Sequence, residues 1–278
     1  DRAQGYALLC QATALSDLVI EVEELPRLNP PEKFPVIVRK VQKAAPDVAI
    51  VDVRLPLHLN LRFAAGQYVD FLLPNGKRRS YSIASVPQPG GVIDLQFHIR
   101  HMPGGEFTDQ LFASLPERAK FNCEGPLGTF FLRDDSDKPV VLVAGGTGYA
   151  PIRSVILDAF QRNVPRPMTL YWGARNEEGL YLRAEAEQCA REHANFTFIP
   201  VLSDVQPDTW QGRTGLVHAA VMQDFADLSG HQVYACGAPA MIDTARRDFS
   251  QRCGLAPSDF HADSFVTEAD VPPDSHAH

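Results

Sequence analysis

Apolar residues recur along this chain with two different rhythms. Between residues 35 and 133 they come in short, partly alternating runs: VIVRKV (36–41), VAIVDVRL (48–55), QYVDFLL (67–73), RSYSIAS (79–85), VIDLQFHIR (92–100) and GTFFLR (128–133). Alternation sends successive side chains to opposite faces, so each run predicts a strand. PNGK (74–77) and PQPGG (87–91) supply turn residues between them. One helical pattern, GEFTDQLFASL (105–115), interrupts the series. Six strands with hairpin turns and one helix predict a small antiparallel barrel.

Near residue 137 the rhythm changes. KPVVLVAGG (138–146) is a continuous apolar run, the kind buried on both faces of a sheet. A helical pattern at 150–162 follows, then a strand MTLYWGA, a helix at 182–193 and a strand FTFIPVL. Next come a helix near 215–223, a strand QVYACG, a helix at 239–252 and a last strand FHADSFV. Such alternation predicts a doubly wound parallel sheet covered by helices. The expected architecture is a barrel over 35–135 and an α/β domain over 136–278, with a polar, fraying end at TEADVPPDSHAH. Residues 23–34, rich in proline and charge, read as an extended linker. Before them GYALLCQATALSDLVIEV (5–22) reads as two short strands around Cys10.

Composition narrows the function. With 278 residues the chain should hold about two domains. Its net charge of −8, from 26 basic and 34 acidic side chains, argues against a nucleic-acid partner, which needs a basic face. No apolar run reaches the ~18 residues of a membrane span, and no secretory pattern opens the chain. Cys10, Cys123, Cys189, Cys236 and Cys253 are scattered and form no C-x-x-C. That spacing fits a reducing cytoplasm better than a disulfide framework or a zinc knuckle. His98 and His101, three apart on a strand, face opposite sides, and no histidine is assigned to a metal.

Four stretches carry candidate chemistry. In VLVAGGTGYAPIRSVI (141–156) a buried strand ends in Gly145, Gly146, Thr147 and Gly148, and a helix is expected from Pro151. Small residues at a strand end and free N–H groups at a helix start suit a pyrophosphate, although Pro151 stands where a third glycine is usual. A purely structural β–α turn would read the same way. In YACGAPAMIDTARRDF (234–249) a second strand ends at Cys236 and Gly237 before Pro239 and Met241. Two strand ends of this kind in one sheet would open onto one crevice. In KRRSYSIASVP (77–87) Arg79 and Tyr81 fall on one face, Ser80 and Ser82 on the other. Arginine, tyrosine and serine can serve a flat phosphorylated cofactor; a solvated hairpin strand is the alternative. In HIRHMPGGEFTDQL (98–111) a strand through His98, Ile99 and Arg100 turns at Gly104–Gly105 into a helix start bearing Thr108.

Taken together and in this order, the four stretches resemble the ferredoxin–NADP reductase superfamily, over about residues 35–266. Within it the chain resembles CDP-6-deoxy-3,4-glucoseen reductase-type and oxygenase-reductase-type iron–sulfur flavoproteins. The resemblance implies an enzyme that takes electrons from a reduced pyridine nucleotide through FAD to a [2Fe–2S] centre and on to a partner protein, a dehydrase or an oxygenase component. It implies Tyr81 along the flavin, Ser82 near flavin N5, and Arg79, Gly105 and Thr108 at the pyrophosphate, with FAD favoured over FMN. It also implies Gly146, Thr147 and Gly148 around the dinucleotide, Cys236 against the nicotinamide, and Phe265 over the flavin face. Glu268 is a loose match to the family's acidic residue near the C-terminus. The resemblance extends upstream: residues 1–22 look like the end of a plant-type ferredoxin module cut internally, with Cys10 as its fourth cluster ligand. A simple N-terminal hairpin is the alternative. Where NADPH-using members place Ser-Arg, this chain has Ser203-Asp204; a carboxylate there repels a 2′-phosphate and accepts from ribose hydroxyls, so NADH is expected over NADPH. A sensor that binds flavin or nucleotide without turnover is the reading from another class.

Overall fold

A computed structural model describes residues 28–114, 118–205 and 210–266. Cys10, Glu268 and residues 23–27 of the expected linker lie outside the described residues.

The first domain is built from β1 (Glu32–Ala45), β2 (Val48–Arg54), β3 (Tyr68–Leu72), β4 (Arg78–Ser82), β5 (Asp94–Arg100) and β6 (Lys120–Leu127), with α1 (Glu106–Ser114) between β5 and β6. The strands pair antiparallel in the order β4-β3-β6-β1-β2-β5. A bridge between Ile83 and Phe97 joins the two edges and closes the barrel. Its core includes Val36, Val51, Val69, Phe71, Phe97 and Ile99, each at most 2% exposed. Two expectations shift here. β1 starts at Glu32, inside the stretch read as linker, because Phe34 is buried against β6 opposite Cys123. GTFFLR is not a strand; β6 is the preceding KFNCEGPL. Phe130 and Leu132 are buried all the same, but in the core of the second domain.

That domain carries β7 (Val140–Gly145), α2 (Tyr149–Gln161), β8 (Met168–Ala174), α3 (Arg183–Glu192), β9 (Phe196–Leu202), β10 (Arg213–Thr214), α4 (Val217–Asp224), β11 (Gln232–Gly237), α5 (Pro239–Cys253) and β12 (Phe260–Ser264). All its pairings are parallel, in the order β10-β9-β8-β7-β11-β12. Helices α2 and α3 cover one face through Ile152, Val155, Ile156 and Ala186 over Leu142, Leu170 and Trp172. Helices α4 and α5 cover the other through Val221, Ile242 and Phe249 over Val141, Val143 and Val233. Burial on both faces explains the unbroken apolar strands. The order reverses between β7 and β11, the switch point at which open α/β sheets bind ligands.

Candidate active site

The glycine-rich sequences meet at this switch point. A Cβ on Gly148 would lie 2.1 Å from the Cys236 carbonyl oxygen. A Cβ on Gly145 would lie 2.7 Å from Met241 Sδ, and one on Gly237 2.8 Å from Met241 Cε. A side chain at Gly148 would collide with main chain, and one at Gly145 or Gly237 would have to displace Met241, which lies in the first turn of α5 after Pro239 and fills the space between the strand ends. A turn of 3₁₀ helix spans Gly146–Gly148 and α2 begins at Tyr149, two residues before the expected Pro151. Thr147 is buried, and the Gly146 carbonyl accepts from Trp172 Nε1 at 2.9 Å.

Arg100, at the end of β5, reaches this turn from the barrel. Its Nη2 lies 2.7 Å from where a Cβ on Gly146 would be. Its Nε is buried without a hydrogen bond, 3.4 Å from Asp47 Oδ2. A guanidinium that is ion-paired through Nε to Asp47 and turns its Nη2 edge to a glycine turn at a helix start suits an anionic ligand such as a pyrophosphate.

The flavin-type strand faces the same seam. Ser82 is buried, and its hydroxyl donates to Asp263 Oδ2 at 3.4 Å. Asp263 stands opposite Cys236 in the β11–β12 ladder. Burial pushes its carboxyl up to about 6, against the opposing hydrogen bond from Ser82. Burial, and then the charge of Asp263, push the Cys236 thiol well above its ordinary value. Cys236 is thus a neutral, polarisable surface and not a nucleophile. Phe265 is half-buried, and its N–H donates to the Gly237 carbonyl at 2.9 Å, tying it to the same strand end. Asp263 is the seam carboxylate that sequence reasoning missed. The available signal was an acid inside the strand pattern FHADSFV.

Other expected residues are placed differently. Tyr81 is half-buried, edge-on to Phe71 at 5.5 Å. Arg79 is half-buried beside it and donates to the Arg78 carbonyl at 2.9 Å. The Ser80 hydroxyl is given to Asp70 Oδ1 at 2.6 Å, so it fastens β4 to β3. Ile99 is fully buried in the barrel and offers no side chain to a ligand. Both ring nitrogens of His98 have protein partners, the Tyr181 hydroxyl at 2.9 Å and Gln96 Oε1 at 3.2 Å. Burial, helped by the charge of Arg153, lowers His98 to about 3. It is a neutral link between the domains. Gly104, Gly105 and Thr108 come together as expected, with their hydrogen bonds closed inside the turn. Gly104 N–H donates to Asp109 Oδ2 at 3.0 Å, Gly105 N–H to the Met102 carbonyl at 2.8 Å, and the Thr108 hydroxyl to the same carbonyl at 2.9 Å. An anion bound there must displace the Asp109 carboxylate. Ser203 and Asp204 are exposed just after β9, with Asp204 N–H donating to the Arg175 carbonyl at 2.8 Å. Among the described residues no group of three or more His, Cys, Asp or Glu could hold a metal ion. No helix among them is long and apolar enough to cross a membrane.

Residues 35–132 match the oxidoreductase FAD-binding domain, and residues 142–247 the oxidoreductase NAD-binding domain. The chain is 40% identical over 268 residues to CDP-6-deoxy-L-threo-D-glycero-4-hexulose-3-dehydrase reductase of Yersinia pseudotuberculosis serotype I (strain IP32953), covering 96% of this chain and 79% of that relative. It is 38% identical over 267 residues to terephthalate 1,2-dioxygenase reductase component 2 of Comamonas sp, covering 95% and 78%. The crystal structure of Amycolatopsis cytochrome P450 reductase GcoB superposes with a TM-score of 0.81 at 34% identity, over 96% of this chain and 80% of that one. The chain belongs to the ferredoxin–NADP reductase family of FAD- and NAD-binding oxidoreductases. Within that class it is an electron-transferring flavoprotein reductase.

Proposed function

We propose that this protein oxidises NADH at the seam between its domains and delivers the electrons through a [2Fe–2S] centre to a separate dehydrase or oxygenase component. The observation that carries the reading is the convergence of Ser82, Cys236, Asp263 and the Gly145–Gly148 turn at one place on the seam between the domains. The residues fit the two cofactors: glycines leave main chain bare where a nucleotide must approach, and Arg100 brings the Nη2 edge of its guanidinium to them. When bound, FAD supplies the chemistry of accepting a hydride and releasing electrons singly.

The chain's own residues do the rest. Gly146, Thr147, Gly148 and Arg100 would hold the dinucleotide phosphates. Cys236 and Met241 would give its ring a neutral wall. Ser82 would place its hydroxyl at the flavin edge, turning its hydrogen there from Asp263. Phe265 would shield the open face from water until the substrate ring replaces it. Arg79, Tyr81 and the turn at Gly104, Gly105 and Thr108 would hold the flavin, once Asp109 yields. Close stacking in a water-poor crevice supplies much of the rate. Cys10 is proposed as a cluster ligand on the ferredoxin-like pattern around it, and a cytoplasmic location follows from the spacing of the cysteines.

The test is direct. Protein incubated with FAD and freed of unbound flavin by gel filtration should be yellow, and anaerobic NADH should bleach it with ferricyanide restoring the colour. Protein that is colourless after that step overturns the proposal.

A further inference from the structure

Helix α2 touches both of the things that hydride transfer has to bring together. Its first residue continues directly from the Gly146–Gly148 turn. One turn later Arg153 and Ser154 cross the seam to the main chain just after Ser82. Arg153 Nη1 donates to the Ala84 carbonyl at 2.8 Å, and the Ser154 hydroxyl donates to the Ser85 carbonyl at 2.7 Å. Ala84 and Ile83 are tied back to the barrel through their amides, to the Gln96 and Gln67 carbonyls at 2.8 and 2.9 Å.

Arg153 is itself held in place. Its Nε and Nη2 donate to the two carboxylate oxygens of Glu185 on α3, at 2.6 and 2.8 Å. The planar fork fixes the guanidinium in direction as well as distance. Its side chain is 16% exposed, against 38–59% for most of the arginines paired elsewhere on the surface. Burial opposes its charge, but the Glu185 hydrogen bond and charge outweigh burial, so it stays protonated. An exposed pair could be discounted as a minor contribution to stability. This one spends three donors on a single geometry spanning both domains.

We infer that Arg153 is a positioning residue: with Ser154 and Glu185 it fixes the separation between the nucleotide turn and the Ser82 strand end. The inference rests on the proposed hydride transfer at this seam. Arg153 itself touches neither reacting ring.

The experiment compares wild type with R153Q, R153K and S154A. In the FAD-loaded protein, stopped flow reads flavin reduction at saturating NADH. A misplacement of about 1 Å can cost about 100-fold, so R153Q should be slower by about 10- to 100-fold, with KM for NADH changed less than about threefold and FAD content kept. R153K, which keeps the charge but has a single donor nitrogen in place of the fork, should recover part of that loss. In flavin-free protein, amide exchange at Ile83 and Ala84 should quicken about tenfold in R153Q, while Leu142 in β7 is unchanged. Reduction or local exchange at the wild-type rate in folded R153Q overturns the inference. Should R153Q not fold, S154A decides: slower reduction with faster Ala84 exchange supports it, and no change in either overturns it. If wild type itself is not reduced by NADH, the proposed function fails instead, and the exchange data still report on Arg153.

Discussion

Gly148 and Cys236 meet main chain to main chain. A methyl group on the glycine would sit 2.1 Å from the cysteine carbonyl oxygen, and neither partner is the movable end of a side chain. G148A must therefore push the Gly146–Gly148 turn away from the end of β11. Overpacking of this kind costs about 1–3 kcal/mol. The expected outcome is a lower thermal midpoint together with a raised KM for NADH, measured by calorimetry and steady-state kinetics. A fully stable G148A with unchanged KM would show that the turn and the end of β11 are looser than this contact requires.

Asp204 should set the nucleotide preference. It is exposed just after β9, and the proposed nucleotide site would bring a 2′-phosphate to its carboxylate. The ratio of kcat/KM for NADH to that for NADPH is expected to favour NADH. D204S should reduce that ratio about tenfold, equivalent to ~1.4 kcal/mol. A wild type that prefers NADPH removes the role assigned to Asp204.

The pH dependence of stability should report Asp263. Its carboxyl rises from 3.8 to about 6 on folding, so the folded protein binds the extra proton. The resulting stabilisation is full below pH 3.8 and is lost as pH rises through about 6. D263N keeps a neutral side chain throughout. Its stability relative to wild type should increase across that interval and level off above it. S82A removes the hydrogen bond that opposes burial and should move the upper limit higher. Urea midpoints against pH measure both; parallel curves for wild type and D263N would refute the shift.

His98 works in the opposite direction. Its pKa falls from 6.5 to about 3 on folding, so its stabilisation is full above pH 6.5 and drains away as pH falls towards 3. H98Q has no proton to take up there. Wild type should lose stability across that range more steeply than H98Q, by up to one proton's worth of slope. Equal slopes would mean that His98 is solvated and not locked against Tyr181.

Periodicity made both domains legible, because each strand and helix repeats its own spacing over many residues. It failed where burial and pairing part company. GTFFLR has the composition of a strand, yet its Phe130 and Leu132 are plugs for the neighbouring domain. The true strand KFNCEGPL carries a lysine, a glutamate and Gly125–Pro126, and looks like a loop. The two-residue β10 is too short to show any period. At the site, Gly145–Gly148 and Cys236–Gly237 could be found because the residue types are dictated by close main-chain approach. His98 was legible only as a candidate cofactor residue; its link to Tyr181 was not, since the two lie 83 residues apart. Arg153 and Glu185, 32 residues apart on separate helices, left no local signal either.

Phe130 and Leu132 also bear on where such a reductase can be cut and rejoined. The FAD-binding family match ends at residue 132, which makes the junction after it look like a natural crossover point. Yet these side chains are packed among residues of the nucleotide half, with Phe130 edge-on to Tyr234 at 6.0 Å, and the Arg133 N–H donates to the Tyr234 hydroxyl at 2.9 Å. A chimera that takes its barrel from another member of the family should keep residues 129–133 with the second parent. Splicing after Arg133 instead would graft foreign plugs into a socket shaped for these.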